Sequence, residues 1–580
     1  RELDDEMRGT WVGPMPVHEF LENFMPAAET PRPFHSRAEW KALWSAVPIG
    51  RKPEWKMYQS IVSKSGLSPH LKLVNTSNKH DRLSEEGHRI RPDLTWYRRN
   101  LLASLGDSLQ WGHSSGYVEV KPSYHGDPVD DLCDPAPREP EAGQHGESTG
   151  PQPHRPESTP SNRTKPFTPQ TDISISERGQ MIAYNTELCD YQHRNFAFSL
   201  LFMGTFIRLF RWDRAGVIVS QIFDYQDDPN FLGEYLWRFN HMTDSQLGLD
   251  GTVRNADNKE KLLAKTHLGP HIFDRSCPIF HIDGPESKCF LVWEPIMRPL
   301  SPLGRATRAY VAFEIATGKV VFLKDVWRVD HQQWPTEGFI LDRLNAKGVR
   351  NIPKVETHGD VDPGSLGVTQ SDKFARKAWC LGDVAGIIPR KHYRLVTAFA
   401  GVRLRHFRTG KEFVHLSYIA LFYIAHEDAL KHCQILHRDI NANNILIRWD
   451  EKNEARGTLV DWEFARTPEE LRVARLDHTS RFPRSGTWQF MSCLLLGDPD
   501  KVHGIEDDME SFIHVLMHHG LRYFEHNYAG NLRSAFQQIY NHAYHSCGAV
   551  LGGDAKMNLL MYRAFVGHHF AFTSFGPDEH

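Results

Sequence analysis

The sequence has 580 residues, too many for one hydrophobic core, so two or three domains are expected. Hydrophobic residues at 40% and charged residues at 24% describe a globular protein and exclude a fibrous or wholly disordered one. A net charge of −4 without long runs of one sign gives no overall bias toward nucleic acid or anionic membrane, though it leaves a local basic groove open.

The 8 cysteines are scattered, with no C-x-x-C pair, which reads as reduced thiols in an intracellular protein, cytoplasmic or nuclear. The adjacent pairs His518–His519 and His568–His569 lack helical ligand spacing and read as solvated surface rather than metal ligands. Phe196 to Phe210 is the longest apolar stretch; Arg208 interrupts it and it is too short to span a bilayer, so no membrane partner is expected. The first residue is Arg rather than Met, which leaves the true N-terminus open.

Along the chain, Val17–Phe24 reads as a helix, and the composition turns strand-like near Asp93. From about Leu132 to Thr171 the sequence is rich in Pro, Gly, Ser and charge, with almost no large apolar side chain. Such a segment cannot offset its ordering entropy and is expected to be disordered. Glu177–Leu188 then reads as a helix. Two apolar strands follow, one ending near Phe210 and one beginning near Val217, joined by a turn at Asp213–Gly216. Residues 1–289 are thus expected to form one α/β domain with the 132–171 stretch inserted into it.

From Phe290 the pattern changes. Short strands come first, at Phe290–Glu294, Tyr310–Glu314 and Lys319–Asp325, the last two joined by a turn at Ala316-Thr317-Gly318. Helical segments come later, at Val414–Lys431 and Met509–His518. A sheet-rich lobe over about 290–397 and a helix-rich lobe over about 398–580, with a cleft between them, is the expected architecture. The fold class expected for the chain is α+β.

The strongest chemical signal is His437-Arg438-Asp439-Ile440-Asn441-Ala442-Asn443-Asn444, flanked by Ile435-Leu436 and Ile445-Leu446. Phosphoryl transfer to a hydroxyl needs a carboxylate to accept the proton and an amide oxygen on the metal, and this loop supplies Asp439 and Asn444. Downstream, the apolar run Thr458-Leu459-Val460 delivers Asp461, a second metal ligand for magnesium on the nucleotide phosphates. Trp462 and Glu463 follow where Phe and Gly usually stand, so the permissive glycine is gone. Upstream, Val321-Phe322-Leu323-Lys324 fits the strand of the phosphate-binding lysine, and Glu337 on a short helix fits its ion-pair partner. The glycine-rich loop survives in outline, with Gly304, Ala306, Ala309 and Val311 at its key positions.

Gly486-Thr487-Trp488-Gln489-Phe490-Met491 resembles the end of a protein-kinase activation segment, where a threonine braces the catalytic aspartate. Asp507-Asp508-Met509-Glu510-Ser511 resembles the start of the central helix, whose second aspartate, Asp508, anchors the catalytic loop. Together these motifs resemble the protein-kinase fold, and their wording is similar to the fungal-type protein kinase domain family of mushroom-forming fungi. The resemblance extends to Trp11–Pro16 and Arg178–Tyr184 and so covers most of the chain. It implies an ATP- and Mg2+-dependent phosphotransferase acting on a protein substrate, with Asp439, Asn444 and Thr487 catalytic and Gly304, Ala306, Val311, Lys324 and Glu337 holding nucleotide. Two departures matter: Asn441 stands where a lysine usually neutralises the terminal phosphate, and Leu494 stands in place of a structural glutamate. Both keep open a pseudokinase scaffold that binds nucleotide or partners without turnover. A small-molecule kinase is a further alternative, against which Thr487 speaks.

The N-terminal region has its own constellation. Arg91-Pro92-Asp93 precedes Glu119-Val120-Lys121, and Gln180-Met181-Ile182-Ala183-Tyr184 follows the insertion. This resembles the PD-(D/E)xK pattern of restriction-endonuclease-like nucleases. Asp93 and Glu119 on adjacent strands would chelate magnesium, and Lys121, on the same strand face as Glu119, would polarise the attacking water. Nucleic acid is the partner this pattern implies, and metal-dependent DNA cleavage is the alternative function.

Overall fold

The protein is seen in a computed structural model that describes residues 2–44, 55–79, 90–105, 108–123, 127–131, 166–299, 301–331, 334–361, 366–398, 401–416, 424–449, 452–476, 486–526, 531–546 and 549–562, with short pieces at 564–565, 568–569 and 572–574. Most of the expected insertion, residues 132–165, lies outside them. Its last residues do not: Phe167 is buried against the N-terminal core.

The chain is α+β. A first sheet contains β1 (Trp11–Met15), β2 (Leu71–Asn75), β3 (Leu94–Arg98), β4 (Ser114–Lys121), β5 (Ala197–Met203), β6 (Phe206–Trp212), β7 (Val217–Ser220) and β8 (Phe223–Asp224). Their order is β1-β7-β6-β5-β4-β3-β2, with β8 beside β6. Strands β2, β3 and β4 run antiparallel, whereas β5 is parallel to β4 and is reached through the helix Asp172–Tyr191. The sheet is covered on both faces. Phe198, Leu200 and Phe202 enter one apolar cluster, while Leu201 and Met203 enter another beside Met181 and Ile182 of the crossover helix. That double burial is why this strand reads as a continuous apolar run instead of an alternation. The run Phe196–Phe210 is not a single strand: Gly204, at φ 64, opens a two-residue Gly-Thr hairpin and folds β6 back on β5.

The second sheet is antiparallel and runs β14-β15-β13-β12-β11-β10-β9. It comprises β9 (Val253–Asn255), β10 (Phe280–Asp283), β11 (Cys289–Met297), β12 (Arg308–Glu314), β13 (Lys319–Val329), β14 (Val355–Asp360) and β15 (Arg390–Ala398). It therefore begins about forty residues ahead of the boundary expected at 290; its first two strands, three and four residues long, are too short to show a period. A small third sheet, β16 (Val402–Arg403), β17 (Ile445–Trp449) and β18 (Ala455–Leu459), carries the catalytic-loop motifs at its ends. The remainder is largely helical, with Ile505–Tyr523 the longest helix there. Within the helix expected over Val414–Lys431 the described residues are helical on both sides, with α-helix at Gly410–Val414 and Glu427–Cys433 and π-helical turns at 415–416 and 424–426, while 417–423 lie outside the description. No described helix is long and apolar enough to cross a membrane.

Buried charge fastens the second sheet to the segment that leads into it, and a turn of the first sheet to the β11–β12 loop. Arg394 on β15, fully buried, donates to Asp325 Oδ2 at 2.8 Å and to Asp250 Oδ2 at 2.6 Å, and His392 lies 2.5 Å from Asp325 Oδ1. Arg214, from the turn before β7, donates to the Pro302 carbonyl at 3.0 Å and accepts from the Gly304 amide at 3.0 Å. The N-terminal unit thereby grips the loop between β11 and β12, which holds Gly304 and Ala306.

Candidate active site

Lys324 sits mid-strand on β13, opposite Ala309 on β12 and Leu395 on β15. Its Nζ lies 2.7 Å from Glu337 Oε2, 2.6 Å from Asp461 Oδ1 and 3.6 Å from Glu463 Oε2. Burial opposes the ammonium charge, but Asp461, then Glu337 and Glu463, outweigh it and hold the Lys324 pKa above its ordinary value. Glu337 opens the helix Glu337–Ala346, capped by Thr336, whose hydroxyl accepts from the Phe339 amide. Burial pushes the Glu337 carboxyl up, Lys324 pulls it back, and the Asp461 and Glu463 charges push it up again, to about 7. The other Glu337 oxygen accepts from the Trp462 amide at 3.1 Å, so one carboxylate ties the lysine strand to the segment carrying Asp461.

Asp461 has φ 64, a left-handed conformation that a non-glycine residue adopts only when its surroundings impose it. Trp462 supplies the constraint: it is fully buried, donates to the Leu459 carbonyl at 2.9 Å and packs edge-on against His437 at 4.7 Å. Burial would raise the Asp461 carboxyl, but Lys324 and Arg305 hold it down at about 2, so it is ionised at neutral pH.

The His437–Asn444 loop is hung from Asp508. That buried carboxylate accepts from the His437 amide at 2.9 Å and the Arg438 amide at 3.0 Å, with His426 and His503 each 2.8 Å away. The loop in turn presents Asp439. Its Oδ1 accepts from the Thr487 amide and the Thr487 hydroxyl, each at 2.8 Å, and from Asn441 Nδ2 at 3.1 Å. Asn444 Nδ2 donates to the Asp439 carbonyl at 2.9 Å and to Oδ2 at 3.3 Å, turning the amide nitrogen to Asp439 and leaving its oxygen as the atom a metal would take. Hard oxygen donors on Asn444 and Asp461 fit a magnesium ion.

Gly304 and Ala306 lie in the β11–β12 turn with φ 79 and φ 44, so the alanine does adopt the left-handed conformation that its side chain disfavours. Val311 faces the same side of the sheet as Lys324 but is packed among Leu291, Trp293, Ala264 and Leu268. Between Gly304 and Ala306 stands a residue the sequence did not single out. Arg305 donates to Glu463 Oε2 at 2.8 Å and lies 5.0 Å over the Phe464 ring, which brings a guanidinium next to the segment that carries Asp461. A second such residue is Lys556. Fully buried, it donates to the Trp488 and Met491 carbonyls at 3.0 and 2.8 Å and braces the segment after Thr487, while Leu494, in the glutamate's place, is 48% exposed. Burial lowers the Lys556 pKa to about 7, with Glu510 opposing. The activation-segment residues Thr479, Ser480, Arg481 and Arg484 lie outside the described residues.

The N-terminal set converges as well. Asp93 immediately precedes β3 and accepts from the Val120 amide of β4 at 3.0 Å. Lys121 Nζ lies 3.0 Å from Glu119 Oε1, 2.6 Å from Glu177 Oε2 and 3.1 Å from Gln180 Oε1. Gln180 Nε2 donates to Glu119 Oε1 at 3.0 Å and also to the Tyr184 hydroxyl. Burial, then the Asp93 charge, pushes the Glu119 carboxyl up to about 7 against Lys121, and its Oε2 is buried without a hydrogen-bond partner among the described residues. A buried carboxylate oxygen without a donor, in the field of the Asp93 charge, fits a cation. Glu177 was missed by sequence reasoning, although its spacing of three and seven from Gln180 and Tyr184 puts all of them on one helix face.

A family model described as fungal protein kinase matches residues 169–519. The chain belongs to the fungal protein kinase family. The matched region starts at the helix bearing Gln180 and Tyr184, crosses both large sheets and ends in the Ile505 helix, so the family unit takes in Arg178–Tyr184 but not Trp11–Pro16. No curated protein matches the chain. In this member of the kinase family Lys324, Glu337 and Asp461 form one side-chain cluster and Asp439, Asn444 and Thr487 another, and the two are joined through the backbone, where the Val460 amide donates to the Asn444 carbonyl and the His437 ring lies 3.0 Å from the Val460 carbonyl.

Proposed function

We propose that the chain is a serine/threonine-type protein kinase that transfers the terminal phosphoryl group of ATP to a protein hydroxyl. The setting of Asp439 carries this reading: three donors fix one carboxylate oxygen and Asn444 turns toward the other, which orients a general base instead of leaving it to rotate. Lys324, held by Glu337, places its ammonium on the phosphates; Asp439 accepts the hydroxyl proton as the new P–O bond forms and ADP leaves. Magnesium on Asn444 and Asp461 would neutralise charge building on the phosphates. Arg305 offers a further cation from above. The six described cysteines are free thiols, which supports an intracellular place, cytoplasmic or nuclear.

Purified protein with labelled ATP, magnesium and generic protein acceptors tests the reading, beside Asp461→Ala. Wild type should label acceptors, and Mg-ATP should raise its melting temperature by linkage. The variant should lose labelling and the magnesium-dependent part of the shift. An equal shift in both would remove Asp461 as metal ligand, and a shift without labelling would make the chain a nucleotide-binding pseudokinase.

A second reading concerns the N-terminal unit, where a specific observation favours a metal-dependent nuclease-like site: Asp93, Glu119, Lys121 and Gln180 meet at the adjoining ends of β3 and β4. Packing alone gives no reason to bring buried carboxylates together around one lysine. Linear DNA incubated with magnesium or manganese should be cut by wild type and not by Lys121→Ala. Uncut DNA that still binds in a Glu119-dependent manner would make the unit a nucleic-acid-binding module.

A further inference from the structure

Beside the catalytic loop lies a cavity of about 250 Å3 whose walls bring positive charge from three separate elements. Arg403 comes from β16, Arg405 from the 3-10 turn that follows it, and Arg522 from the last turn of the Ile505 helix. Among the described residues none of the three is paired with a carboxylate; Arg405 reaches only the His406 ring, at 3.3 Å, and Arg522 lies 5.8 Å from the Tyr523 ring. Burial and then the Arg405 charge press the Arg403 pKa down, whereas Arg405 and Arg522 stand at the exposed rim of the cavity.

The histidine pair expected at the solvated surface is here instead. His519 is buried, packed on the Phe413 ring at 6.0 Å, and His518 lies 5.3 Å from the Phe490 ring with Nδ1 buried and without a hydrogen-bond partner among the described residues. A cavity that gathers three guanidinium groups with no carboxylate partner among the described residues favours an anion, which accepts charge-assisted hydrogen bonds from them.

Its place in the fold says what that anion belongs to. Ala442 and Asn443 on the cavity wall follow Asp439 by three and four residues, and Gln489 follows Thr487 by two, with the Thr487 hydroxyl 2.8 Å from Asp439. An extended peptide advances about 3.3 Å per residue, so a hydroxyl presented to Asp439 has its near neighbours along the chain within reach of this cavity.

We propose that this cavity selects the substrate: it binds an anionic side chain, carboxylate or phosphate, of an acidic peptide within a few residues of the hydroxyl to be phosphorylated. The proposal rests on the protein-kinase reading for its meaning, but not for its measurement. Labelled serine peptides flanked by glutamate, phosphoserine, glutamine or lysine would be titrated into the full chain by fluorescence anisotropy, then offered with Mg-ATP. Glutamate or phosphoserine peptides should bind about tenfold more tightly than the glutamine peptide, with affinity falling as salt rises. Whichever of the two is preferred identifies the source of the anion. Arg405→Glu combined with Arg522→Glu should erase the preference while leaving the melting temperature and its Mg-ATP shift unchanged. Equal binding of anionic and glutamine peptides, or a preference that survives the double variant, would overturn the proposal. Arginine-dependent binding without phosphate transfer to any peptide would support the anion site and remove the kinase reading.

Discussion

Asp439→Asn is expected to cut phosphoryl transfer by a factor of about 10²–10⁴ while leaving Mg-ATP binding intact, the span general-base catalysis supplies. Asparagine keeps the shape of the side chain. Its oxygen can occupy the Oδ1 position, where the Thr487 amide, the Thr487 hydroxyl and Asn441 already donate. Its NH2 then faces Asn444 Nδ2, but that contact is the weakest of the set, at 3.3 Å, and Asn444 keeps the 2.9 Å bond to the backbone carbonyl of residue 439. What disappears is the acceptor for the substrate proton. Lys324, Glu337 and Asp461 are tied to one another and not to the Asp439 side chain, so nucleotide affinity should hold. Single-turnover transfer and the Mg-ATP thermal shift measure the two halves independently. A variant within about threefold of the wild-type rate would show that proton removal is not part of the limiting step, and a lost thermal shift would mean that Asp439 belongs to the nucleotide site.

The residues legible in the sequence are those whose roles lie in a contiguous run. His437 to Asn444 is one loop, and the Thr458–Asp461 strand end is another; each announces itself because the apolar flanks and the polar residues between them are neighbours in the chain. Lys324 and Glu337 carry little signal alone and become readable through their order ahead of that loop. Arg305 was invisible because its partner, Glu463, lies 158 positions away, and an arginine in a turn has no sequence signature. Lys556 was invisible for the same reason: it braces the Trp488–Met491 segment from a helix 65 and 68 residues beyond the carbonyls it holds. In the fold, the hairpin at Gly204 was merged into one apolar stretch because both of its strands are buried on both faces, which removes the period of two that would have separated them. His518 and His519 were read as solvated because adjacent histidines lack ligand spacing. The packing of Phe413, Phe490, Phe536 and Tyr540 against the Ile505 helix places them inside.

Asp508→Ala should be the most damaging single change to the stability of the catalytic region, at about 3–5 kcal/mol, the cost of removing one partner from a buried charged network. Asp508 has no exposed surface and satisfies four donors at once: the His437 and Arg438 amides and the rings of His426 and His503. Burial alone would raise its pKa, but His503 and His426 hold it well below the usual carboxylate range, so the group that is lost is a charge. Alanine leaves two backbone amides and two imidazoles facing a cavity, and the amides belong to a loop that holds Arg438 at φ 70. Without its anchor that loop has no reason to keep the left-handed residue, and Asp439, the next residue, moves with it. Thermal unfolding should show the loss, and hydrogen exchange at His437 and Arg438 should rise while exchange in β3 to β5 of the first sheet stays unchanged. Asp508→Asn, which keeps one acceptor, should fall between alanine and wild type; that gradation separates a lost anchor from general misfolding. Unchanged protection at His437 and Arg438 in a folded Asp508→Ala protein would mean that His426, His503 and Trp462 position the loop without the carboxylate.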